Sequence, residues 1–276
     1  MTSIADRRAA FRALHERGCF LLPNPWDRGS ARYLEHRGFA ALATTSSGAA
    51  WSRGRPDGSA TRDETLDHLA DIVGATSLPV NADFENGYGD TAAEVAVSVA
   101  LAVETGVAGL SVEDALDGEP YALDVATERI TAAREAIDAS GHDVLLVGRS
   151  EGFIIGRPDL AEVLDRLRAY AAAGADCLYA PGISAPEDIA AVVAAVAPTP
   201  VNLLVGGPSR LTLTQIADLG VRRVSVGGAL ARAAWGGFER AADALVEGRF
   251  DGFDGSAAGA DLNALFRDGP EADQQR

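Results

Sequence analysis

Short apolar runs alternate with helical patterns eight times along this 276-residue chain, and this alternation constrains the fold most. Glycines such as Gly106 and Gly174 follow the helical patterns at positions typical of helix C-caps. Eight β/α units in about this length predict an α/β fold, a (β/α)8 TIM barrel. The runner-up, a doubly wound open sheet, lacks the expected Gly-x-Gly-x-x-Gly turn after the first strand. The predicted strands are Cys19–Pro23, Ala40–Thr45, Pro79–Phe84, Gly109–Glu113, Val144–Arg149, Cys177–Ala180, Val201–Val205 and Arg223–Val226.

Both ends of the chain are predicted to add helices to this barrel. One helix, Ile4–Arg17, precedes the first strand, and a long one, Gly228–Glu247, follows the last. The paired glycines Gly236-Gly237 predict a break in the long helix. A further short helix completes a C-terminal helical extension. We predict a single domain over residues 1–267 and a disordered polar tail over 268–276.

Charge and composition exclude several classes of function. The formal net charge is −16, which argues against nucleic acid or an anionic membrane surface as a partner. The chain contains no lysine, which removes every mechanism that needs a lysine Schiff base. No apolar run is long enough to span a membrane, and the first residues lack a signal stretch. The sequence therefore predicts a cytoplasmic protein.

Acidic side chains collect where the third and fourth predicted strands end. Asp83 and Glu85 are two residues apart, so alternation along a strand predicts that they point the same way. Glu113 ends the neighbouring strand. Carboxylates that converge in this way repel one another unless a cation lies between them, and hard oxygen ligands suit Mg²⁺ or Mn²⁺. The pattern predicts a divalent metal site.

Arg149 ends the next strand, and its side chain is predicted to face the same cavity. An inward arginine beside an acid cluster suits a substrate carboxylate, which it can bind through two parallel hydrogen bonds. The alternative is a buried network of ion pairs between the arginine and the acids. The long glycine-rich segment Trp51–Arg62 is predicted to close over the site and to bring Asp57 to it.

Six segments together resemble the isocitrate lyase / phosphoenolpyruvate mutase superfamily, over about residues 20–235. The pairing of an Asp-Phe-Glu-Asn-Gly-Tyr-Gly segment with Ser-Val-Glu-Asp is the most specific part of the resemblance. The segments are Thr44–Trp51 with Gly54–Asp57, Asn81–Asp90, Ser111–Asp114, Val147–Glu151, Ala173–Asp176 and Val221–Gly227.

The resemblance implies a role for each matching residue. It implies a Mg²⁺ site held by Asp83, Glu85 and Glu113, directly or through water, with Asp57 nearby. It also implies that Thr45, Ser46 and Ser47 hold the carboxylate and oxo oxygens of a substrate that Arg149 binds as well. The predicted catalytic residues are Asp57, Glu113 and Arg149, and the predicted substrate-binding residues are Thr45, Ser46, Ser47, Asp83, Arg149 and Asn202. Family members usually form tetramers that exchange their last barrel helix, which implies a homo-oligomer, a dimer or a tetramer.

The chain departs from the family in the segment after the fourth strand. Residues 115–121 lack the Lys-Lys-Cys-Gly-His loop of isocitrate and methylisocitrate lyases and the lysine and asparagine of the mutases. The remaining metal, carboxylate cradle and arginine predict a Mg²⁺-dependent lyase that acts on a small 2-oxo or 2-hydroxy carboxylate through a pyruvate-enolate-like intermediate. Oxaloacetate decarboxylation is the simplest case. Two alternatives stay open: carbon–phosphorus chemistry on phosphonopyruvate, and a non-catalytic protein that binds 2-oxo acids.

Overall fold

Eight parallel strands form a nearly closed barrel in the computed structural model, which describes residues 2–267. The barrel strands are β1 (Phe20–Leu22), β2 (Leu42–Ala43), β3 (Val80–Asp83), β4 (Gly109–Glu113), β7 (Leu145–Arg149), β8 (Cys177–Tyr179), β9 (Val201–Leu204) and β10 (Arg223–Ser225). They follow one another around the barrel in the order β1, β10, β9, β8, β7, β4, β3, β2, and a hydrogen bond from Ala43 N to Pro23 O (3.0 Å) joins the two ends. A short hairpin of β5 (Ala115–Leu116) and β6 (Glu119–Pro120) follows β4.

Helices surround the barrel and extend it at both ends. They are α1 (Ile4–Leu14), α2 (Arg28–His36), α3 (Ser46–Ser52), α4 (Arg62–Ala75), α5 (Ala92–Glu104), α6 (Leu123–Ala139), α7 (Leu160–Ala172), α8 (Pro186–Val196), α9 (Leu213–Asp218), α10 (Ala229–Val246) and α11 (Gly259–Arg267), with a 3₁₀ turn at Asp251–Phe253. Capping boxes define several helix starts; Thr91, for example, bonds reciprocally with Glu94 at the start of α5. None of these helices has the length and apolar character that crossing a bilayer requires.

The structure confirms the predicted (β/α)8 barrel, its eight strands and the leading helix. One detail is wrong: α10 runs without a break through Gly236-Gly237. A glycine inside a helix costs only about 1 kcal/mol relative to alanine, which the hydrogen bonds and packing of an 18-residue helix offset. The predicted disorder of 268–276 lies outside the described residues.

Helix α1 closes the end of the barrel where the strands begin. Phe11 is fully buried there against Leu22 and Leu145, which point into the barrel. Arg8 anchors the helix, because its guanidinium donates to the carbonyl oxygens of Val103 (2.7 Å) and Val107 (3.0 Å). With this end filled, the interior is open only where the strands terminate, which is where TIM barrels carry their sites.

His15, the C-cap of α1, gives the fold a specific dependence on pH. We expect it to remove about 2 kcal/mol of stability between pH 7 and pH 5. Burial, reinforced by Arg223, lowers the pKa of His15 from 6.5 to about 3, so the folded protein keeps it neutral. The unfolded chain takes up the proton as the pH falls below 6.5, and the folded state loses stability relative to it.

The variant His15→Asn retains a donor for the Phe11 carbonyl, which lies 2.8 Å from His15 Nδ1. Urea unfolding at both pH values should therefore show a smaller loss of stability in His15→Asn than in the wild type. The exposed His142, replaced by Asn, is the control. An identical pH dependence in His15→Asn and the wild type would contradict this account.

Candidate active site

Polar side chains line a cavity of about 150 Å³ inside the barrel mouth. The predicted site residues that line it are Thr45, Ser46, Ser47, Asp57, Asp83, Arg149 and Asn202. Glu113 reaches this group through Arg149, with 3.2 Å between Oε2 and Nη1. Glu85 lies to one side and lines a small neighbouring cavity together with Asp83 and His68. The structure thus gathers the predicted residues at one end of the barrel.

Arg149 is the centre of an ion-pair network. Its Nη1 lies 3.2 Å from both Asp83 Oδ1 and Glu113 Oε2. Its Nε and Nη2 both pair with the carboxylate of Glu151, the latter at 3.0 Å. The guanidinium also lies over the ring of Tyr179, 5.2 Å from the centroid. Of the two interpretations that the sequence allowed, the network is what the structure shows, and substrate binding by Arg149 stays a prediction.

Asp83 is held in place by the segment after β2. Its backbone N–H donates to Thr44 Oγ1 (2.9 Å), and its Oδ2 accepts from Ser46 N–H (3.0 Å). Together with Arg149 on Oδ1, these contacts fix the direction of the carboxylate. Asp83 is therefore positioned before any ligand arrives.

Glu85 does not lie where strand alternation placed it. Strand β3 ends at Asp83, and Glu85 adopts a left-handed backbone conformation with φ of 44°. The expectation that Asp83 and Glu85 share one strand face is therefore wrong, because alternation applies only while the strand continues. The turn sends the Glu85 side chain towards Tyr88, whose hydroxyl hydrogen-bonds it.

Burial and mutual repulsion shift the protonation of these acids. Burial, together with the carboxylates of Asp83 and Asp57, raises the pKa of Glu85 to about 7, although the hydrogen bond with Tyr88 lowers it. Burial likewise raises the pKa of Glu113, against the attraction of Arg149, and Glu151 and Asp83 add to the increase. This side of the cavity thus holds more carboxylates than Arg149 alone neutralises.

The segment after β2 forms a short helix that the sequence analysis did not predict. Thr45 is the N-cap of α3; its hydroxyl accepts from Gly48 N–H and hydrogen-bonds Ser47 Oγ at 3.0 Å. A side chain on Gly48 would clash, since an added Cβ would lie 2.8 Å from Thr45 and 2.9 Å from Trp26. The close packing holds Ser46 and Ser47 at the wall of the cavity.

Asp57 lies at the exposed rim of the cavity, on the connection between α3 and α4. Partial enclosure raises its pKa, while a hydrogen bond with the Ser46 side chain lowers it. The connection is fastened by Arg55, which pairs with Glu64 at 2.6 Å and with the Ser59 carbonyl. The predicted loop is thus shorter than Trp51–Arg62, because α3 takes its first two residues.

Asp114 is a positioning residue to which the sequence analysis gave no role. It is 4 % exposed, and its Oδ2 accepts from the hydroxyl of Tyr170 (2.5 Å) and pairs with Arg166 (3.2 Å). Its Oδ1 accepts from Glu151 N–H at 2.8 Å, which fixes the carboxylate partner of Arg149. The sequence signal was its place directly after Glu113, at the end of β4.

Asn24 is a second positioning residue to which the sequence analysis gave no role. Its amide donates to the carbonyl of Thr44 (2.8 Å) and accepts from the N–H groups of Val226 and Gly227 (2.9 Å each). It therefore links the segment after β2 to the segment after β10, on opposite flanks of β1. The sequence signal was its place directly after the first strand.

The donor chemistry of the acidic side fits a Mg²⁺ ion. The described residues contain no group of three or more His, Cys, Asp or Glu side chains arranged to hold a metal directly. Mg²⁺ keeps several waters and binds through one or two carboxylates, which matches Asp83 with Glu85 and Glu113 nearby. The excess of buried carboxylates over cations favours such an ion. The metal set of Asp83, Glu85 and Glu113 stays a prediction.

A (β/α)8 barrel with acidic side chains at the carboxyl ends of its strands is typical of TIM-barrel enzymes. Comparisons with known proteins agree with this class. A model of the phosphoenolpyruvate phosphomutase family matches residues 11–246. Oxaloacetate decarboxylase of Rhodopseudomonas palustris (strain BisA53) is 30% identical over 231 residues, 80% of this chain and 77% of that protein.

Solved structures of other proteins are also similar to this chain in fold and sequence. A crystal structure of a Burkholderia cenocepacia J2315 protein is 50% identical, covers 95% of this chain and 96% of its own, and superposes with a TM-score of 0.92. Oxaloacetate acetylhydrolase in complex with the product oxalate is 28% identical, with coverage of 99% and 98% and a TM-score of 0.86. The chain belongs to the isocitrate lyase / phosphoenolpyruvate mutase superfamily of lyases and mutases.

Proposed function

We propose that this protein is a Mg²⁺-dependent lyase that breaks a carbon–carbon bond of a small 2-oxo or 2-hydroxy carboxylate. The observation that carries the proposal is the arrangement of the cavity: Asp83, Glu113 and Glu151 converge on Arg149 beside the backbone of Ser46. Such a site can hold a metal on its acidic side and carboxylate oxygens on its serine side. The names of the relatives, oxaloacetate decarboxylase and oxaloacetate acetylhydrolase, support this class of substrate.

The chain's own residues have separate tasks in this proposal. Ser46 and Ser47 bind the substrate carboxylate with their hydroxyl and N–H groups, while Arg149 orients it. Asp83, Glu85 and Glu113 would hold Mg²⁺, which when bound supplies Lewis-acid stabilisation of negative charge on the 2-oxo oxygen. Bond breaking leaves an electron pair on the carbon next to C2, and Asp57, at the rim, delivers the proton of its carboxylic acid to that carbon and becomes a carboxylate.

Turnover of oxaloacetate is the direct test. Purified protein with Mg²⁺ should form pyruvate from oxaloacetate faster than Mg²⁺ alone, and EDTA should abolish the difference. Asp83→Ala should lower the rate by about 10²–10³-fold, because it removes electrostatic stabilisation of the transition state. The exposed Asp67, replaced by Ala, is the matched control and should keep full activity.

Relatives supply two further substrates for the same assay, 2-methylisocitrate and 2,3-dimethylmalate. Turnover of any of the three that depends on Asp83 supports the lyase proposal. A rate equal to that of Mg²⁺ alone on all of them, or one unchanged in Asp83→Ala, would reject it. Tight binding of oxalate with Mg²⁺ but without turnover would favour the non-catalytic alternative.

Three arginines around the barrel mouth do not favour carbon–phosphorus chemistry. A phosphonyl group needs cations, and these arginines are Arg53, Arg55 and Arg149. Arg55 is paired with Glu64, and Arg149 already contacts three carboxylates. Arg53 lines the small neighbouring cavity and not the main one.

We also propose that the protein associates with copies of itself through α10 and the residues that follow. Phe238, Val246 and Phe250 are 64%, 89% and 73% exposed, and a second copy would remove this apolar surface from water. Light scattering should find a dimer or a tetramer. The double variant with Phe238→Glu and Phe250→Glu should shift the equilibrium towards the monomer. A monomeric wild type at micromolar concentration would overturn this proposal.

A further inference from the structure

A second buried cation, Arg223 of β10, lies one layer deeper in the barrel than the acids. It is 2 % exposed. Its Nε donates to Asn202 Oδ1 (2.9 Å), and its Nη1 donates to Asn81 Oδ1 (3.2 Å) and lies 3.4 Å from His15 Nε2. Asn81 precedes Asp83 by two residues on the same strand face, so the guanidinium reaches across the interior to a point below that carboxylate.

All of these partners are uncharged. The asparagines carry no charge, and His15 is neutral because burial lowers its pKa to about 3. No ion pair of Arg223 exists within residues 2–267. Buried charges are normally paired, since an unpaired one bears a desolvation cost of several kcal/mol. A guanidinium kept in the interior with neutral partners alone is therefore a functional candidate and not a structural ion pair.

The third nitrogen of this guanidinium is available to a ligand. Nη2 has no hydrogen-bond partner among the described residues, and this atom is not fully enclosed by the protein. Its accessible surface faces the cavity, because Arg223 lines the same 150 Å³ space as Asp83. A guanidinium donor in such a place binds carboxylate strongly.

The neighbours of Arg223 are hydrogen-bonded to one another. Because Asn202 Oδ1 accepts from Arg223, Asn202 Nδ2 is free to donate, and it lies 3.0 Å from Ser225 Oγ. Ser225 Oγ therefore accepts from Asn202, and it also hydrogen-bonds the Tyr179 side chain. Ser225 and Tyr179 line the cavity as well. Arg223 Nη2 is thus the donor that this group leaves for an anion.

We propose that Arg223 Nη2 binds a second carboxylate of the substrate, in the part of the cavity below the acids. The inference rests on the proposed function, which places the first carboxylate beside Ser46. The subsite therefore suits a substrate with two carboxylates, and it deepens the proposed function by naming a dicarboxylate as the substrate class.

Calorimetry with a matched pair of ligands tests the subsite without any turnover. 2-Oxoglutarate and 2-oxopentanoate have the same chain length, and only the former carries a second carboxylate. With Mg²⁺ present, the wild type should bind 2-oxoglutarate at least about 10-fold more tightly, the effect of hydrogen bonds to a charged group. Arg223→Met should reduce this preference to within about twofold while binding 2-oxopentanoate as before, and Arg223→Lys should retain part of it.

Each outcome separates this inference from the proposed function. Equal binding of both ligands by the wild type, or an undiminished preference in Arg223→Met, overturns the subsite and leaves the lyase proposal standing. Binding of neither ligand also overturns the subsite, whereas the lyase proposal is decided by the turnover assay. If Arg223→Met does not fold, wild-type crystals soaked with 2-oxoglutarate and Mg²⁺ decide: a carboxylate within hydrogen-bond distance of Arg223 Nη2 supports the subsite, and any other position overturns it.

Discussion

Replacement of Arg149 by methionine should lower the free energy of unfolding by about 3–5 kcal/mol, the cost of removing one partner from a buried ion pair. The loss leaves the carboxylates of Glu113 and Glu151 largely buried, with side-chain exposures of 21% and 7%, and without their common cation. Turnover should fall by about 10²–10³-fold in addition, since Asp83 and Glu113 lose the contact that holds them together. Urea unfolding and the oxaloacetate assay measure the two effects.

Two further variants distinguish charge from geometry at this position. Arg149→Lys keeps the charge but cannot pair with Glu151 through two nitrogens and contact Asp83 at once. Its free energy of unfolding should therefore lie between those of the wild type and Arg149→Met. Arg168→Met is the control, because Arg168 is 52% exposed and forms a surface pair with Asp165. If Arg149→Met unfolded at the same urea concentration as Arg168→Met, the network would not contribute to stability.

Asp114→Asn should lower the free energy of unfolding by a similar amount, about 3–5 kcal/mol, although the residue lies outside the cavity. The substitution keeps the shape but removes the charge that faces the 9% exposed guanidinium of Arg166 and accepts from Tyr170. An asparagine amide can still accept from Glu151 N–H, so kcat should fall less than stability does. The free energy of unfolding and kcat of the same preparation test both parts.

Asp165→Asn on α7 provides the matched comparison, since its carboxylate is 68% exposed. It should change stability by less than about 0.5 kcal/mol. A loss of unfolding free energy in Asp114→Asn no greater than in this control would show that the buried contacts of Asp114 do not contribute to stability. A fall in kcat as large as that of Arg149→Met would instead mean that Asp114 takes part in the chemistry.

The strands of the barrel were predictable because each is a short apolar run bounded by helix signals. Val80–Asp83 and Leu145–Arg149, for example, differ from the predicted segments only at their ends. Helix α3 was not predicted, since seven residues rich in serine and alanine are too short for a periodic pattern. The break in α10 was predicted wrongly, because local glycine preference was weighed without the stability of the whole helix.

The site was predictable as a set of residues but not in its contacts. Alternation placed Asp83, Glu113 and Arg149 correctly, and it failed at Glu85, where the strand had already ended. Arg223 was missed although it shares a strand face with Ser225, because two adjacent arginines at the start of a strand suggest a surface position. Its interior place depends on Asn81 and Asn202, which are distant in sequence.

A crystal of the wild type soaked with oxalate and Mg²⁺ tests the central claim most directly. Oxalate has the two adjacent carboxyl groups that mimic the carboxylate and oxo oxygens of a 2-oxo acid. The account predicts one ion on the acidic side of the cavity, bound to Asp83 and linked to Glu85 and Glu113 directly or through water, with oxalate between it and Ser46. An ion bound elsewhere, or oxalate bound in the cavity without any ion beside Asp83, would contradict it.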